Sequence, residues 1–306
     1  MTAVINALVD LRQAVVQKLA LPVLAANNIT AGVLRIDKIH ATVSGNKWFK
    51  LKYALQEAIS FGKSTIITFG GAYSNHLVAT AYACAQLGLQ CVGIVRGEQP
   101  AVLSSALKDC MEQGMKLQFV SRDAYSDKQN LYGEIIEQYA DAYLVPEGGC
   151  SGLGVKGASE ILSLAPADEF THICCAIGTG TMMAGLINAA RQDQQVEGFC
   201  ALKLPNEENE LHRFVQQAAA GRNNFSIHYD YHFGGYARKT PQLIDFMNTI
   251  YAQTGIELDF VYTAKMLYGV LDLAEKGYFP IESRLLIIHS GGLQGNRSLP
   301  KNTLSY

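Results

Sequence analysis

The sequence predicts an α/β protein of two domains, each an open twisted sheet with flanking helices. Three observations carry this. Short apolar runs alternate with amphipathic stretches along most of the chain, the pattern of parallel strands covered by helices. A Gly-rich segment, "PEGGCSGLGVKG" (Pro146–Gly157), separates two cycles of that alternation and reads as the seam between domains. The length of 306 residues suits about two domains of ordinary size.

The elements follow in order. "SGNKWFKLKYAL" (Ser44–Leu55) leads into a helix, with Asn46 as a candidate cap. "STIITF" (Ser64–Phe69) is β-branched and apolar, a strand, and His76–Gly88 follows as a helix stopped by glycine. Gln90–Gly97 is the next strand, Ala101–Gln113 a helix, Leu117–Ser121 a strand and Asp127–Tyr139 a helix. After the Gly-rich joint come strand Thr171–Ile177, helix Gly180–Gln192, strand Gly198–Leu204, helix Glu208–Ala220 and strand Phe225–Tyr231. Helices near Pro241–Gln253 and Ala264–Lys276 precede a last strand, Arg284–Ser290. Ligands of open α/β sheets sit at the carboxyl ends of strands, so the chemistry is expected after Phe69, Ile177 and Ile288.

Composition narrows the function classes. A net charge of −2 with 17% charged residues gives no basic surplus for nucleic acid and no acidic run for disorder. Met1–Leu21 carries Asp10, Arg12 and Lys18, which breaks any leader-like apolar core. No apolar stretch reaches the roughly 18 residues of a membrane span. A cytoplasmic protein away from the membrane is expected. The seven cysteines are odd in number and form no Cys-x-x-Cys pair, so buried reduced thiols are expected. Cys150 lies in a Gly-rich loop without a neighbour in sequence to activate it. The seven histidines show no H-E-x-x-H spacing, and no metal is predicted.

Four segments are candidates for chemistry. Lys47, with Lys50 and Lys52 close by, could be an activated amine, although a capped helix with solvated lysines explains the same residues. "FGGAYSNHLVAT" (Phe69–Thr80) ends a strand and opens a helix, whose free N–H groups suit a carboxylate; an ordinary cap by Ser74 or Asn75 is the competing reading. "CAIGTGTMMAG" (Cys175–Gly185) places Gly178, Thr179, Gly180 and Thr181 between strand and helix, which suits a phosphate. It is no dinucleotide fingerprint, because Met183 stands at the third glycine position. "IIHSGGLQG" (Ile287–Gly295) is again a strand followed by glycines, which could close over a flat ring; an ordinary tight turn explains it equally well.

In their order, from about Arg35 to Gln294, these segments resemble the pyridoxal 5′-phosphate (PLP) dependent family of 1-aminocyclopropane-1-carboxylate (ACC) deaminase and D-cysteine desulfhydrase, of the tryptophan synthase β-like fold type II. The resemblance implies that Lys47, in "SGNK", carries PLP as a Schiff base, and that the family's following Arg-Lys pair falls on Phe49 and Lys50. It places Asn75 at the cofactor's phenolic oxygen, and Ser74, Asn75 and His76 at the substrate carboxylate. The phosphate falls to Gly178, Thr179, Gly180 and Thr181, the pyridine nitrogen to Thr263, and Lys50 is a further cofactor-binding residue. Tyr262 and Tyr236 become the catalytic tyrosines, beside Lys47 and Ser74. The family's charged segment before the lysine loop is represented by Arg35, Ile36, Asp37 and Lys38. A large PLP-binding domain from 1–47 plus 153–306, a small domain from 48–152 and a homodimer are further implications.

The resemblance implies a lyase acting on a small amino acid. ACC deaminases carry glutamate beside the pyridine nitrogen, whereas Thr263 is neutral and gives a weaker electron sink. β-Elimination of a D-cysteine-like substrate to pyruvate, ammonia and sulfide is therefore expected. The alternatives are ACC opening, another fold type II deamination or racemisation, and a noncatalytic PLP- or amino-acid-binding protein.

Overall fold

The structure is a computed structural model and describes residues 2–205 and 209–306. Ten strands are present among them: β1 (Val16–Lys18), β2 (Thr30–Leu34), β3 (Thr65–Gly70), β4 (Gln90–Arg96), β5 (Lys116–Val120), β6 (Tyr143–Val145), β7 (His172–Ile177), β8 (Gln195–Cys200), β9 (Phe225–His228) and β10 (Arg284–Ile288). They form a six-stranded sheet, β1-β2-β10-β7-β8-β9, and a four-stranded sheet, β5-β4-β3-β6. Every pairing is parallel except β1 with β2.

Parallel strands are buried on both faces, which explains uniformly apolar runs such as "HICCAI" in β7. One apolar cluster lies between the sheets. It joins Ile66 and Val95 of the small sheet to Ile173, Leu286 and Ile288 of the large one, through Trp48, Leu51 and Leu55 of the Asn46–Ser60 helix. The far face of the large sheet packs on helices Pro241–Thr254 and Thr263–Glu275 through Leu243, Met247, Met266 and Val270. The far face of the small sheet packs on helix Lys128–Gln138 through Leu131 and Ile135.

The mixed α/β architecture matches the sequence expectation, with shifts at element ends. The helix expected from Ala101 spans Ser105–Glu112, because the Ser104 hydroxyl accepts from Leu107 N–H and sets the start there. The strand expected at Gly198–Leu204 is Gln195–Cys200. The helix expected from Glu208 spans Glu210–Ala218, capped by Asn209, and Glu208 itself lies outside the described residues. The Gly-rich joint contains a helix, Gly152–Ser159, packed on helix Asn46–Ser60. A Cβ at Gly157 would collide with the Phe49 carbonyl, and one at Gly154 with the Gly149 carbonyl, so these glycines permit close helix contact.

Candidate active site

The site begins with a strained loop. Gly45 has φ +64° and ψ −142°, and a Cβ there would strike the Ser290 carbonyl at the end of β10. The Asn46 N–H donates to that carbonyl at 3.2 Å, and Gly45 N–H donates to Ile36 O at 3.0 Å. Beneath the loop Arg35 grips Asp37 through two bonds of 2.9 and 2.7 Å, both residues buried. The His289 Nδ1 lies 3.2 Å from the same carboxylate. Arg35 and Asp37 thus form a buried tie that fixes the segment leading into Lys47.

Lys47 is the second residue of the Asn46–Ser60 helix and is half-buried. Asn46 is not the cap expected from sequence, since Gly45 holds that position; the Asn46 Oδ1 instead accepts from the Lys47 amine at 2.8 Å. The amine lies 6.0 Å from the centre of the Tyr262 ring. Burial pushes its pKa down to about 8, against the opposing pull of Asp259. A useful fraction is therefore neutral and nucleophilic near neutral pH.

One helical turn on, Lys50 is buried and its amine lies 3.4 Å from Thr179 Oγ1. Burial, with the charge of Lys47, brings Lys50 down to about 7. Thr179 and Thr181 hydroxyls are 2.9 Å apart, and Thr181 opens helix Thr181–Ala189 with unpaired N–H groups at its start. Gly178 lies against the Tyr262 ring, where a Cβ would be 3.1 Å from Cε1, and Gly180 takes φ +79°. Phe49, in the place of the family arginine, is a core residue, and Lys52 pairs with Glu160.

On the facing loop Ser74 caps helix Asn75–Leu87 by accepting from Leu77 N–H at 3.3 Å, which leaves its own proton free to donate. The Asn75 amide makes no hydrogen bond among the described residues. His76 is buried. Thr68 Oγ1 donates to Val145 O, so it accepts from His76 Nε2–H at 2.9 Å. Burial and the charges of Lys47 and Lys50 hold His76 down to about 3, a neutral ring tying the helix to β3 and β6.

The fourth wall is the turn before helix Thr263–Glu275. Asp259, fully buried, accepts from the N–H groups of Val261 and Tyr262 at 2.9 Å each and from Thr263 N–H and Oγ1 at 2.8 Å each. Tyr262 packs edge-on to Tyr236, ring centres 6.1 Å apart. Burial and the neighbouring Tyr236 phenol raise Tyr262 well above its usual value, so it stays a proton donor. Tyr236 is 45% exposed at the cleft rim.

The structure thus brings Lys47 to Tyr262, Tyr262 to Tyr236, and Lys50 to Thr179, which meets the buried Thr181; the buried His76, next to Ser74 and Asn75 in sequence, feels the charges of Lys47 and Lys50, and Thr263 is fully buried. Sequence reasoning missed Asp259. Its signal was an acidic residue in the apolar run "ELDFVY", four positions before the first helical residue. Two buried ammonium groups, two hydroxyls, two helix starts and side-chain-free glycines fit a phosphorylated aldehyde: an anion beside Lys50 and an aldehyde within reach of Lys47. Among the described residues no three His, Cys, Asp or Glu could hold a metal, and no helix is long and apolar enough to cross a membrane.

Fold and cleft define a pyridoxal-phosphate dependent enzyme: the model of the family "Pyridoxal-phosphate dependent enzyme" matches residues 22–291, and the chain belongs to that family. Within it, the chain is 30% identical over 297 residues to the bifunctional D-cysteine desulfhydrase/ACC deaminase of Arabidopsis thaliana, covering 88% of this chain and 74% of that one. It is 29% identical over 285 residues to the D-cysteine desulfhydrase of Salmonella schwarzengrund, covering 85% and 86%. A crystal structure described as an ACC deaminase homologue superposes with a TM-score of 0.77 at 25% identity, covering 93% of this chain and 90% of that one.

Proposed function

We propose that this enzyme eliminates the β-substituent of a small amino acid, a D-cysteine-like substrate, to give pyruvate, ammonia and sulfide. The observation that carries the reading is the Lys47 amine, half-buried, lowered to about 8 and facing the Tyr262 ring across a cleft whose floor holds Lys50 and Thr179. When bound, PLP supplies the electron sink for loss of the α-proton. Lys50, the Thr179 and Thr181 hydroxyls and the N–H groups from Gly178 onward would hold its phosphate. Asn75 would reach its phenolic oxygen; the Thr263 hydroxyl, buried and already donating to Asp259, could serve the ring nitrogen only as an acceptor.

The chain's own groups divide the remaining work. The Ser74 hydroxyl and the Asn75 and His76 N–H groups grip the substrate carboxylate at a helix start. His76 serves this grip through Thr68, which fixes the helix. Lys47 removes the α-proton. Tyr262, protonated and paired with Tyr236, gives a proton to the departing thiolate. The relatives' names support this substrate class. Thr263, a hydroxyl where ACC deaminases carry a carboxylate, favours elimination over ring opening. The buried Asp259 carboxylate, 2.8 Å behind Thr263, favours the second reading, ACC opening, because it adds negative charge near the ring nitrogen. A cytoplasmic homodimer, with domains at 1–47 plus 153–306 and 48–152, belongs to the same proposal.

The test is a substrate panel of D- and L-cysteine, D- and L-serine and ACC, followed by keto-acid and sulfide release. Sulfide and pyruvate from D-cysteine are expected, and 2-oxobutyrate from ACC alone would overturn the elimination reading. Lys47→Ala is expected to lose both the visible cofactor absorbance and borohydride labelling. A variant that keeps spectrum and activity would refute the role of Lys47.

A further inference from the structure

Tyr236 stands on an unusual backbone. Phe233 (φ 52°), Gly234 (94°), Gly235 (116°) and Ala237 (53°) all adopt the left-handed region within five residues. Phenylalanine and alanine rarely do so, and such runs persist only when the surroundings impose them. Short-range bonds hold part of the turn: Gly234 N–H donates to His232 Nδ1 at 2.9 Å, and Arg238 N–H to Gly235 O at 3.1 Å.

Two longer bonds come from one helix. Tyr231 donates to Asp272 Oδ2 at 2.6 Å, and Lys265 donates to Gly235 O at 2.7 Å. Residues 265 and 272 are seven apart, two turns along one face of helix Thr263–Glu275. Tyr262 immediately precedes that helix. Lys265 is only 1% exposed, and the Gly235 carbonyl is its one hydrogen-bond acceptor among the described residues. Burying an ammonium group is costly, and methionine would fill the same space without that penalty. Burial does lower Lys265 to about 8, opposed by Asp259 and Cys200.

We propose that Lys265 is a positioning residue: its amine clamps the Gly234-Gly235 turn so that the Tyr236 phenol is held against Tyr262. Both phenols are thereby referenced to one rigid helix, Tyr262 through the chain and Tyr236 through this clamp. The catalytic part of the proposal rests on the reading of Tyr236 given above; the structural part does not.

Two measurements on the holoenzyme test it. In Lys265→Met, amide hydrogen exchange of the 232–238 segment is expected to accelerate by about 10-fold or more, with helix Thr263–Glu275 still protected. Turnover on the panel's best substrate is expected to lose about 10-fold or more in kcat with KM within about twofold, the mark of lost alignment. The double variant Lys265→Met/Tyr236→Phe is expected to be no slower than Tyr236→Phe alone, whereas a general structural role would give additive losses. Unchanged exchange overturns the clamp. Additive losses overturn its action through Tyr236. An unimpaired Tyr236→Phe overturns the role of that tyrosine and leaves the exchange result to decide the clamp. Should Lys265→Met not fold, Lys265→Gln is read by the same measurements.

Discussion

Removing the Lys50 ammonium should strengthen the cofactor-free chain while weakening its hold on phosphate. Lys50 is 5% exposed, 3.4 Å from Thr179 Oγ1, and lowered from 10.5 to about 7 by burial and by Lys47. The unfolded chain therefore binds the proton more tightly than the folded one, and stability rises with pH. Through that shift, the folded state carries a penalty of about 4 kcal/mol at pH 7 and about 2 kcal/mol at pH 9, both ceilings. In urea unfolding of cofactor-free protein, the stability difference between Lys50→Met and the natural chain should thus shrink by about 2 kcal/mol from pH 7 to 9. Lys50→Met keeps the stem and drops the charge, so its stability at pH 7 should exceed that of the natural chain. Half-buried Lys47 and buried Lys265, each lowered to about 8, add contributions of the same sign, and thiols raised by burial such as Cys110 and Cys175 an opposing one; all are present in both proteins, so the comparison isolates Lys50. Inorganic phosphate should stabilise the natural chain far more than the variant. A stability difference between variant and natural chain that is the same at both pH values, or a variant that responds to phosphate as well as its parent, would refute the reasoning.

Other substitutions probe the supports of the cleft. Asp259→Asn replaces a carboxylate that accepts four hydrogen bonds with an amide that must turn N–H groups toward N–H groups. A loss of about 3 kcal/mol in urea unfolding and weaker retention of the visible cofactor absorbance are expected. Gly157→Ala drives a methyl into the Phe49 carbonyl and should cost about 3 kcal/mol, whereas Gly152→Ala, with open space around it, should change stability by under about 0.5 kcal/mol. Equal melting temperatures for the two glycine variants would contradict the close contact described between their helix and Asn46–Ser60.

Long elements were legible in the sequence because each carried its own signal. β3, β4, β7 and β10 were apolar runs, and helix Asn75–Leu87 had a serine cap and a terminal glycine. β1, β2 and β6 went unread. β1 and β6 have three residues each, too few to show a period, and "TAGVL" in β2 contains a glycine that a strand interior usually disfavours. That glycine is needed, since a Cβ at Gly32 would lie 2.6 Å from Val16 Cγ1 of β1. Within Pro146–Gly157, read as the seam between domains, the glycines have a second use that the sequence did not show: they permit close packing between helices. At the site, Lys47 and the Gly178–Thr181 loop could be placed from local motifs joined by family resemblance. Asp259, Lys265 and the Arg35–Asp37 tie could not, because their partners lie across the fold or their meaning depends on burial.

The helix Asn46–Ser60, with Lys47 in its first turn, runs through the apolar layer shared by both sheets. It ties the two sheets together through Trp48, Leu51 and Leu55. If the four-stranded half rocks over a substrate, Ser74 and Asn75 travel with it, while the amine stays at the pivot. Capture of the carboxylate can then depend on motion, while the backbone that carries Lys47 keeps its place in the apolar layer.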